Sequence, residues 1–243
     1  MKIAIFSDVH SNLPALEAVL RDIDGQKVDA RVCLGDTVGY NASPGECLER
    51  VRTVSDTVIQ GNHDLYSATD EDLSDFNPVA RSGVEYSRKN LSPAQKDWLR
   101  ALPLVKAEGD HVYVHASLYS PEDWIYVSSP LEAILHFREQ KTPVAFCGHT
   151  HRPVVWYLDN EQPLDTLRPR ARMKLDQPGR YLVNVGSVGQ VRDGDPRACY
   201  VIYEPEKRAL HYRRVEYSIA TAQREILAAG LPPFLAMRLQ AGM

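Results

Sequence analysis

The stretch Arg31-Val32-Cys33-Leu34-Gly35-Asp36 is a short apolar run that ends at a glycine and is followed by a carboxylate. The run is too short for a helix and stops at Gly35, so it predicts a buried strand. Glycine permits a tight turn and leaves room for a group packed against the backbone. We therefore interpret residues 31–35 as a strand that presents Asp36 at its carboxyl end.

Three other apolar runs end in the same way. They lead, respectively, into Asp8 and His10, into Gly61-Asn62-His63-Asp64, and into Gly148-His149-Thr150-His151. Open α/β sheets place their sites just beyond the carboxyl ends of their strands. The four segments therefore predict one shared site at one edge of a sheet.

The first half of the chain alternates strands with helices. Helical spacing follows the N-cap Asn12, a second helix is predicted near 44–52, and a third strand near 56–60. This alternation is typical of βαβ units and a mainly parallel sheet. Residues 66–102 are polar and then helical, and we interpret them as a helical excursion over the mouth of the site.

The second half is richer in strands. A hairpin is predicted around Gly109-Asp110 and a helix over 130–139, and the segment 159–179 is predicted to be an exposed loop or a hairpin tip. After His151, antiparallel strands are predicted over 154–158, 181–185, 198–203 and 210–215, and helices after Ser218. We interpret residues 1–243 as a single domain.

Composition excludes several classes of protein. Of the 243 residues, 44% are hydrophobic and 25% are charged, as in a globular protein, and the net charge of −4 gives no basic field for extended nucleic acid. The apolar run at the start is too short for a signal peptide or a membrane span, so a cytoplasmic location is expected. The four cysteines lack CxxC spacing and are expected to be free and buried.

The residues at the strand ends are metal-binding types. Five of the eight histidines belong to the set, which comprises Asp8, His10, Asp36, Asn62, His63, Asp64, His115, His149 and His151. Mixed imidazole and carboxylate donors suit Mn, Fe, Co or Zn, whereas all-oxygen sets suit Mg or Ca. Two divalent ions beside only two carboxylates, Asp8 and Asp36, keep a positive charge that attracts phosphate. Asp36 is the candidate bridge between the two ions.

His63 follows Asn62 directly and is therefore not expected to share its metal. A cationic His63 imidazole would protonate a leaving oxygen, and Asp64 would hold its tautomer and raise its pKa. In the alternative interpretation, His63 and Asp64 only satisfy hydrogen bonds of the loop.

The four segments resemble, in order and spacing, the signature motifs of the calcineurin-like metallophosphoesterases. The resemblance implies a four-layer αββα sandwich, in which two mixed β-sheets are flanked by helices. It also implies the following roles: Asp8, His10 and His151 on the first metal, Asp36 as the bridge, Asn62, His115 and His149 on the second metal, and His63 as the catalytic histidine. Ala116 departs from the glycine that follows this histidine in many members.

Residues 39–44 and 184–189 look like the small bacterial and archaeal phosphodiesterases of that family. The resemblance implies cleavage of a phosphodiester by a metal-bridging hydroxide with His63 as general acid, and two divalent ions (Mn favoured; otherwise Fe, Zn, Co or Ni). The expected substrate is a small, nucleotide-like phosphate ester. Asn62, Tyr40 and Arg152 are candidate substrate contacts, as are Asn41 and Arg192, with a solvated surface role as the alternative. For Ser187 we favour a tight turn.

Other functions stay open. A phosphomonoesterase, a protein phosphatase or a dinucleoside polyphosphate hydrolase would need more cationic contacts, and the absence of a dense arginine cluster near the motifs favours the diester. A non-catalytic scaffold, such as the retromer subunit of this fold, would show damaged ligand positions, and none is seen. A homodimer could form through exposed edge strands near 154–158 or 208–215.

Overall fold

The computed structural model describes residues 1–159 and 164–243. The strands are β1 (Ile3–Phe6), β2 (Ala30–Cys33), β3 (Thr57–Val58), β4 (Val105–Glu108), β5 (His111–Val114), β6 (Val144–Cys147), β7 (Val154–Leu158), β8 (Asp165–Leu167), β9 (Met173–Lys174), β10 (Arg180–Asn184), β11 (Ala198–Glu204) and β12 (Ala209–Val215). The helices are α1 (Leu13–Gln26), α2 (Pro44–Val54), α3 (Asn62–Ala68), α4 (Pro78–Asn90), α5 (Pro93–Arg100), α6 (Pro130–Glu139), α7 (Ile219–Ala228) and α8 (Pro233–Ala241).

The strands form two mixed sheets. The first has the order β3-β2-β1-β11-β12-β9 and the second β4-β5-β6-β10-β7-β8. Strands β1, β2 and β3 run parallel to one another, as do β5, β6 and β10, while the remaining pairs are antiparallel. The predicted site residues follow the carboxyl ends of β1, β2, β3, β5 and β6.

Side-chain alternation shows how the layers stack. Ile3 and Ile5 of β1 face the second sheet in one apolar core, whereas Ala4 and Phe6 face α1 and α2 in another. The outer face of the second sheet packs on α6 through Phe137. The order helix, sheet, sheet, helix confirms the predicted four-layer sandwich, with each fully buried large apolar side chain stabilising it by roughly 1.5–3 kcal/mol.

Several local predictions are confirmed by the structure. The Asn12 side chain caps α1 by accepting a hydrogen bond from the Ala15 N–H at 3.2 Å, and α6 covers the predicted residues 130–139. All four cysteines are free and buried. None of the helices among the described residues is long and apolar enough to cross a membrane.

The prediction for 159–179 was wrong in part. Strand β8 pairs with β7 of the second sheet, whereas β9 pairs with β12 of the first, so the segment passes from one sheet to the other. Leu167, Met173 and the buried Leu175 pack on the core between the sheets, and these apolar contacts outweigh the exposed arginines that suggested a loop. Residues 160–163 of this prediction lie outside the described residues.

Two further predictions need correction. Strand β10 is not purely antiparallel, since it pairs in parallel with β6 on its other side. The segment 154–158 is not a free edge, because β8 covers β7, whereas β9 covers only the first two residues of β12, so 211–215 stay without a strand on that side in the described part of the chain. The outer strands of the described part are β3, β9, β4 and β8.

The predicted excursion at 66–102 contributes α4 and α5 and lies against one side of the site. The Phe76 ring is 5.7 Å from the His63 ring, and the Ser87 hydroxyl accepts a hydrogen bond from the Gly39 N–H at 3.1 Å. The excursion therefore supports the loop that follows Asp36.

Candidate metal centre

Backbone hydrogen bonds fix the loops after β1 and β2 to each other. The Asp8 and His10 N–H groups donate to the carbonyls of Gly35 and Asp36 at 3.0 and 2.9 Å. From the second sheet, the His149 N–H donates to Asp8 Oδ2 at 3.0 Å. The predicted strand ends of the two sheets therefore meet at one place.

The first cluster consists of Asp8, His10 and His151. His151 Nε2 lies 3.2 Å from Asp8 Oδ1 and 3.1 Å from His10 Nε2. Both imidazoles donate their Nδ1–H to backbone carbonyls, those of Val38 and Gln190, so both Nε2 atoms carry lone pairs. Lone pairs and a carboxylate oxygen that face one another need a cation between them, which fits a metal site.

The second cluster consists of His115 and His149, and Asn62 is its third predicted ligand. His115 Nε2 lies 3.2 Å from His149 Nδ1, and His115 Nδ1 donates to the Leu34 carbonyl at 2.7 Å. Asn62 Oδ1 is buried and has no hydrogen-bond partner. An orphaned buried amide oxygen fits a metal ligand.

Asp36 joins the two clusters. Its Oδ2 lies 3.4 Å from His10 Nε2 and 3.4 Å from His115 Nε2, while its Oδ1 accepts the His63 N–H at 2.8 Å. Asp8, His10, Asp36 and His151 could thus hold one ion, and Asp36, His115 and His149 a second. The shared oxygen corresponds to the predicted bridge.

The backbone at the site is strained. Five of the candidate ligands have positive φ angles of 47–64°: Asp8, His10, Asp36, His149 and His151. Such conformations are uncommon for residues other than glycine, cost about 1–3 kcal/mol each, and cluster at functional sites. The fold thus places these side chains at the expense of stability.

Two glycines make room for the carboxylates. A Cβ at Gly61 would lie 2.2 Å from Asp36 Oδ1, and a Cβ at Gly148 would lie 2.5 Å from Asp8 Oδ2. Any larger residue would displace the carboxylate that it touches.

The charges of the cluster shift its pKa values. Burial alone would raise the pKa of Asp36, but the imidazoles of His115 and His63 outweigh it and hold that pKa well below its usual range. Burial lowers the pKa of His115, yet the Asp36 charge raises it overall to about 9. The carboxylates are therefore ionised and ready to bind a cation.

Asp64 does not hold the His63 imidazole as the sequence predicted. Its oxygens accept hydrogen bonds from the N–H groups of Thr37, Val38 and Gly61, at 2.9, 3.3 and 3.1 Å, and none from His63. His63 Nδ1 is buried without a partner, and burial lowers the pKa of His63 to about 4. The expected contact of Asp64 with His63 is wrong, because Thr37 and Val38 in the loop after β2 and Gly61 before α3 take up the carboxylate.

The candidate substrate contacts differ in how close they lie to the centre. The Tyr40 ring lies 4.6 Å from both the His10 and the His63 rings, next to the centre. Arg152 is exposed, and its Nε donates to the Arg192 carbonyl at 2.8 Å. Asn41 holds the loop, since its Nδ2 donates to the His10 carbonyl at 2.6 Å.

The structure adds several neighbours of the centre. Ser187, for which the sequence favoured a tight turn, accepts the Gln190 N–H at 2.9 Å, and its hydroxyl also donates to the carbonyl of the candidate ligand Asp8 at 2.9 Å. Tyr126 stacks on His149 at 3.9 Å, and the side chain of Arg238 in α8 reaches Tyr40. Ser187 belongs to the segment 184–189 already singled out, whereas nothing in the local sequence signals Arg238.

Comparison with known proteins identifies a family model and a relative that match most of the chain. Residues 1–208 match the family model of the calcineurin-like phosphoesterase superfamily domain. The uncharacterized protein MJ0912 of Methanocaldococcus jannaschii is 35% identical over 245 residues, which cover 99% of this chain and 98% of that protein.

Solved structures show the same architecture. A metallophosphoesterase from Sphaerobacter thermophilus is 40% identical, with a TM-score of 0.88 over 100% of this chain and 99% of the other. The hypothetical protein PH1004 from Pyrococcus horikoshii OT3 is 18% identical, with a TM-score of 0.81 over 100% and 98% of the two chains, and shares the fold.

Proposed function

The chain belongs to the calcineurin-like phosphoesterase superfamily, and from this membership we propose that it is a phosphodiesterase that uses two divalent transition-metal ions. One observation carries the proposal. Asp36 Oδ2 lies 3.4 Å from one imidazole of each cluster, so a single carboxylate oxygen serves both candidate metal positions.

The donor set is suited to such ions. Asp8, His10 and His151 would hold the first, Asn62, His115 and His149 the second, and Asp36 both. Imidazole-rich sets favour Mn, Fe, Zn, Co or Ni over Mg or Ca, and we favour Mn. When bound, two such ions activate water as a nucleophile and neutralise phosphate charge.

We assign protonation of the leaving group to His63. Its ring stands edge-on to His10 at 4.7 Å, and its Nδ1 has no partner within the protein. Burial keeps the free imidazole neutral, and an anionic phosphate bound beside it would raise its pKa again. His63 would then give a proton to the departing ester oxygen.

Aromatic rings beside both clusters support the diester. Tyr40 and Phe76 lie beside His63, whereas Trp124 lies 6.0 Å from His115 and Tyr126 lies 3.9 Å from His149, measured between ring centres. A phosphodiester carries two organic groups that such rings could contact, whereas a monoester carries one.

A second candidate function has its own observation. The argument against a monoesterase or a dinucleoside polyphosphate hydrolase depended on the lack of an arginine cluster. The structure contradicts that premise, because Arg192 and Arg238 both lie on the Tyr40 ring, and Arg152 donates to the backbone carbonyl of Arg192. For the scaffold alternative we find no support, since all seven predicted donor residues are present and six of them gather in the two clusters.

The test is the hydrolysis rate of Mn²⁺-reconstituted protein on bis-p-nitrophenyl phosphate and on p-nitrophenyl phosphate. We expect turnover of both with the diester preferred, and none from Asp36→Asn prepared in parallel, which controls for contaminating phosphatases. A preference for the monoester would replace the diesterase by a phosphatase. No turnover with two ions bound would contradict the hydrolase and favour the scaffold.

A further inference from the structure

Two guanidinium groups lie on one aromatic ring beside the metal centre. The Cζ atoms of Arg192 and Arg238 are 5.8 and 5.9 Å from the centre of the Tyr40 ring. The same ring is 4.6 Å from both His10 and His63. One side chain therefore separates this arginine pair (Arg192 and Arg238) from the candidate centre.

The arginine pair has no acidic side chain as a partner. Among residues 1–159 and 164–243, no Asp or Glu forms an ion pair with Arg192 or Arg238, although Arg213 and Arg214 are each paired in this way. Arg192 Nη2 donates to the Tyr40 hydroxyl and to Gln190 Oε1 at 3.3 and 3.0 Å, while its Nε is buried without a partner. Arg238 Nε donates to the main-chain oxygen of Met243, the last residue of the sequence, at 2.6 Å.

The two cations also disfavour each other. Both side chains are half-buried, and burial followed by the charge of Arg192 lowers the pKa of Arg238. Like charges held together outside bulk water are stabilised when an anion binds between them. Guanidinium groups suit phosphate in particular, because their planar forks can bond two of its oxygens at once.

We propose that the arginine pair binds a second phosphate group of the substrate, so that the substrate is a phosphate ester that carries a further phosphate. This deepens the proposed function and rests on it for the position of the scissile phosphate. The second phosphate must lie one aromatic ring away, which suits a neighbouring phosphate of a polyphosphate chain or one across a sugar. Arg238 supplies this specificity from α8, outside the residues 1–208 that match the family model.

The test is a calorimetric titration of Mn²⁺-loaded protein with AMP, ADP and adenosine 3′,5′-bisphosphate at fixed free Mn²⁺. We expect ADP or the bisphosphate to bind at least about tenfold more tightly than AMP, as for one charge-assisted phosphate contact. Arg238→Met, which keeps the aliphatic packing, should reduce this ratio to about one, and Arg238→Lys should restore part of it. Arg224→Met is the matched control, since Arg224 is exposed on the neighbouring helix α7, and it should keep the ratio.

Two results would overturn the proposal: equal affinity of the wild-type protein for all three ligands, or an unchanged ratio in Arg238→Met. Thermal unfolding of each variant shows whether it is folded. Because the titration needs no turnover, it is independent of hydrolysis. An Arg238-dependent ratio without hydrolysis of bis-p-nitrophenyl phosphate would support the phosphate subsite and contradict the phosphodiesterase.

Discussion

The two clusters that share Asp36 are built in different ways. In the first, Asp8, His10 and His151 all have positive φ angles, and both imidazoles are fixed through Nδ1 to backbone carbonyls. In the second, His115 is fixed in the same way to the Leu34 carbonyl, but His149, its one member with a positive φ angle, has a buried Nε2 without a partner. Outer hydrogen bonds orient metal-binding histidines and strengthen metal affinity.

The difference indicates that the first position is set before any ion binds, whereas the second is completed by the ion. His149 is held instead by the ring of Tyr126, which is 49% exposed. We therefore expect the first position to bind metal more tightly than the second.

Asp36→Asn would remove the feature that the two clusters share, and it has the largest expected effect. An amide cannot bridge two cations as a carboxylate does, so both ions should be lost and turnover should fall by at least about 10³-fold, equivalent to several kcal/mol. Metal analysis and the diester rate measure the change. Asp22→Asn, at a distant ion pair with Arg213, is the control. Two full equivalents of metal with an unchanged rate would remove Asp36 from the centre.

His63→Ala separates chemistry from metal binding. Both clusters should keep their ions, while turnover slows by roughly 10²–10⁴-fold, as on loss of a general acid. The effect should shrink on a substrate whose leaving group is acidic and needs no proton. A variant that loses metal would show instead that His63 supports a cluster through its contact with His10.

His136, a buried histidine outside both clusters, provides a reference for how burial of an imidazole affects stability at low pH. His136 Nδ1 accepts the Leu118 N–H at 3.1 Å, and burial lowers the pKa of His136 to about 3. The unfolded chain therefore binds a proton between about pH 6.5 and 3 that the folded protein does not, so stability is complete above this window and falls as the pH drops.

Urea unfolding of metal-free protein at pH 7 and pH 4 measures this loss. His136→Asn keeps an acceptor for the Leu118 N–H. Between pH 7 and pH 4 we expect its free energy of unfolding to fall by about 3 kcal/mol less than that of the wild type. His211→Asn, at a partly exposed ion pair with Glu204, is the control and should behave like the wild type. If the free energy of unfolding fell equally in the wild type and in His136→Asn, the acid sensitivity would come from the two clusters and not from His136.

The predictable parts of the site were those carried by strand ends. Short apolar runs that stop at Gly35, Gly61 or Gly148 revealed the positions of the neighbouring carboxylates and imidazoles, because strand periodicity and glycine geometry are local properties. The four layers followed from strand and helix alternation together with the family resemblance. Six of the seven predicted ligands gather in the two clusters, and Asn62 Oδ1 is buried without a partner.

The parts that failed depend on contacts between distant segments. Asp64 lies next to His63 in sequence, but its oxygens accept N–H groups from the Asp36 loop and from Gly61. Arg238 reaches Tyr40 only because the hairpin of α7 and α8 packs against the helical excursion. Neither the hydrogen bonds of Asp64 nor the contact of Arg238 with Tyr40 leaves a local pattern in the sequence.

Stepwise metal binding would sharpen the comparison of the clusters. We expect Mn²⁺ to bind in two steps whose Kd values differ by about 10- to 100-fold, the usual effect of one outer hydrogen bond. His149→Ala should keep one equivalent, and His151→Ala should lose the tighter step. Equilibrium dialysis measures both, with His211→Ala as the control. Two equal steps, or loss of both ions in His149→Ala, would contradict the asymmetry.

Tyr126 should have the smallest effect, and one confined to the second cluster. Its ring lies 3.9 Å from the His149 ring, with 32° between the planes, which gives a stacking contact worth about 0.5–1.5 kcal/mol. Tyr126→Leu, which keeps apolar cover but removes the ring, should weaken the second Mn²⁺ step by about 3- to 10-fold and leave the first unchanged. Tyr126→Phe should bind like the wild type, because the ring and not the hydroxyl faces His149. If both variants weakened the two steps equally, Tyr126 would act on the whole centre, and the second position would not depend on its exposed ring.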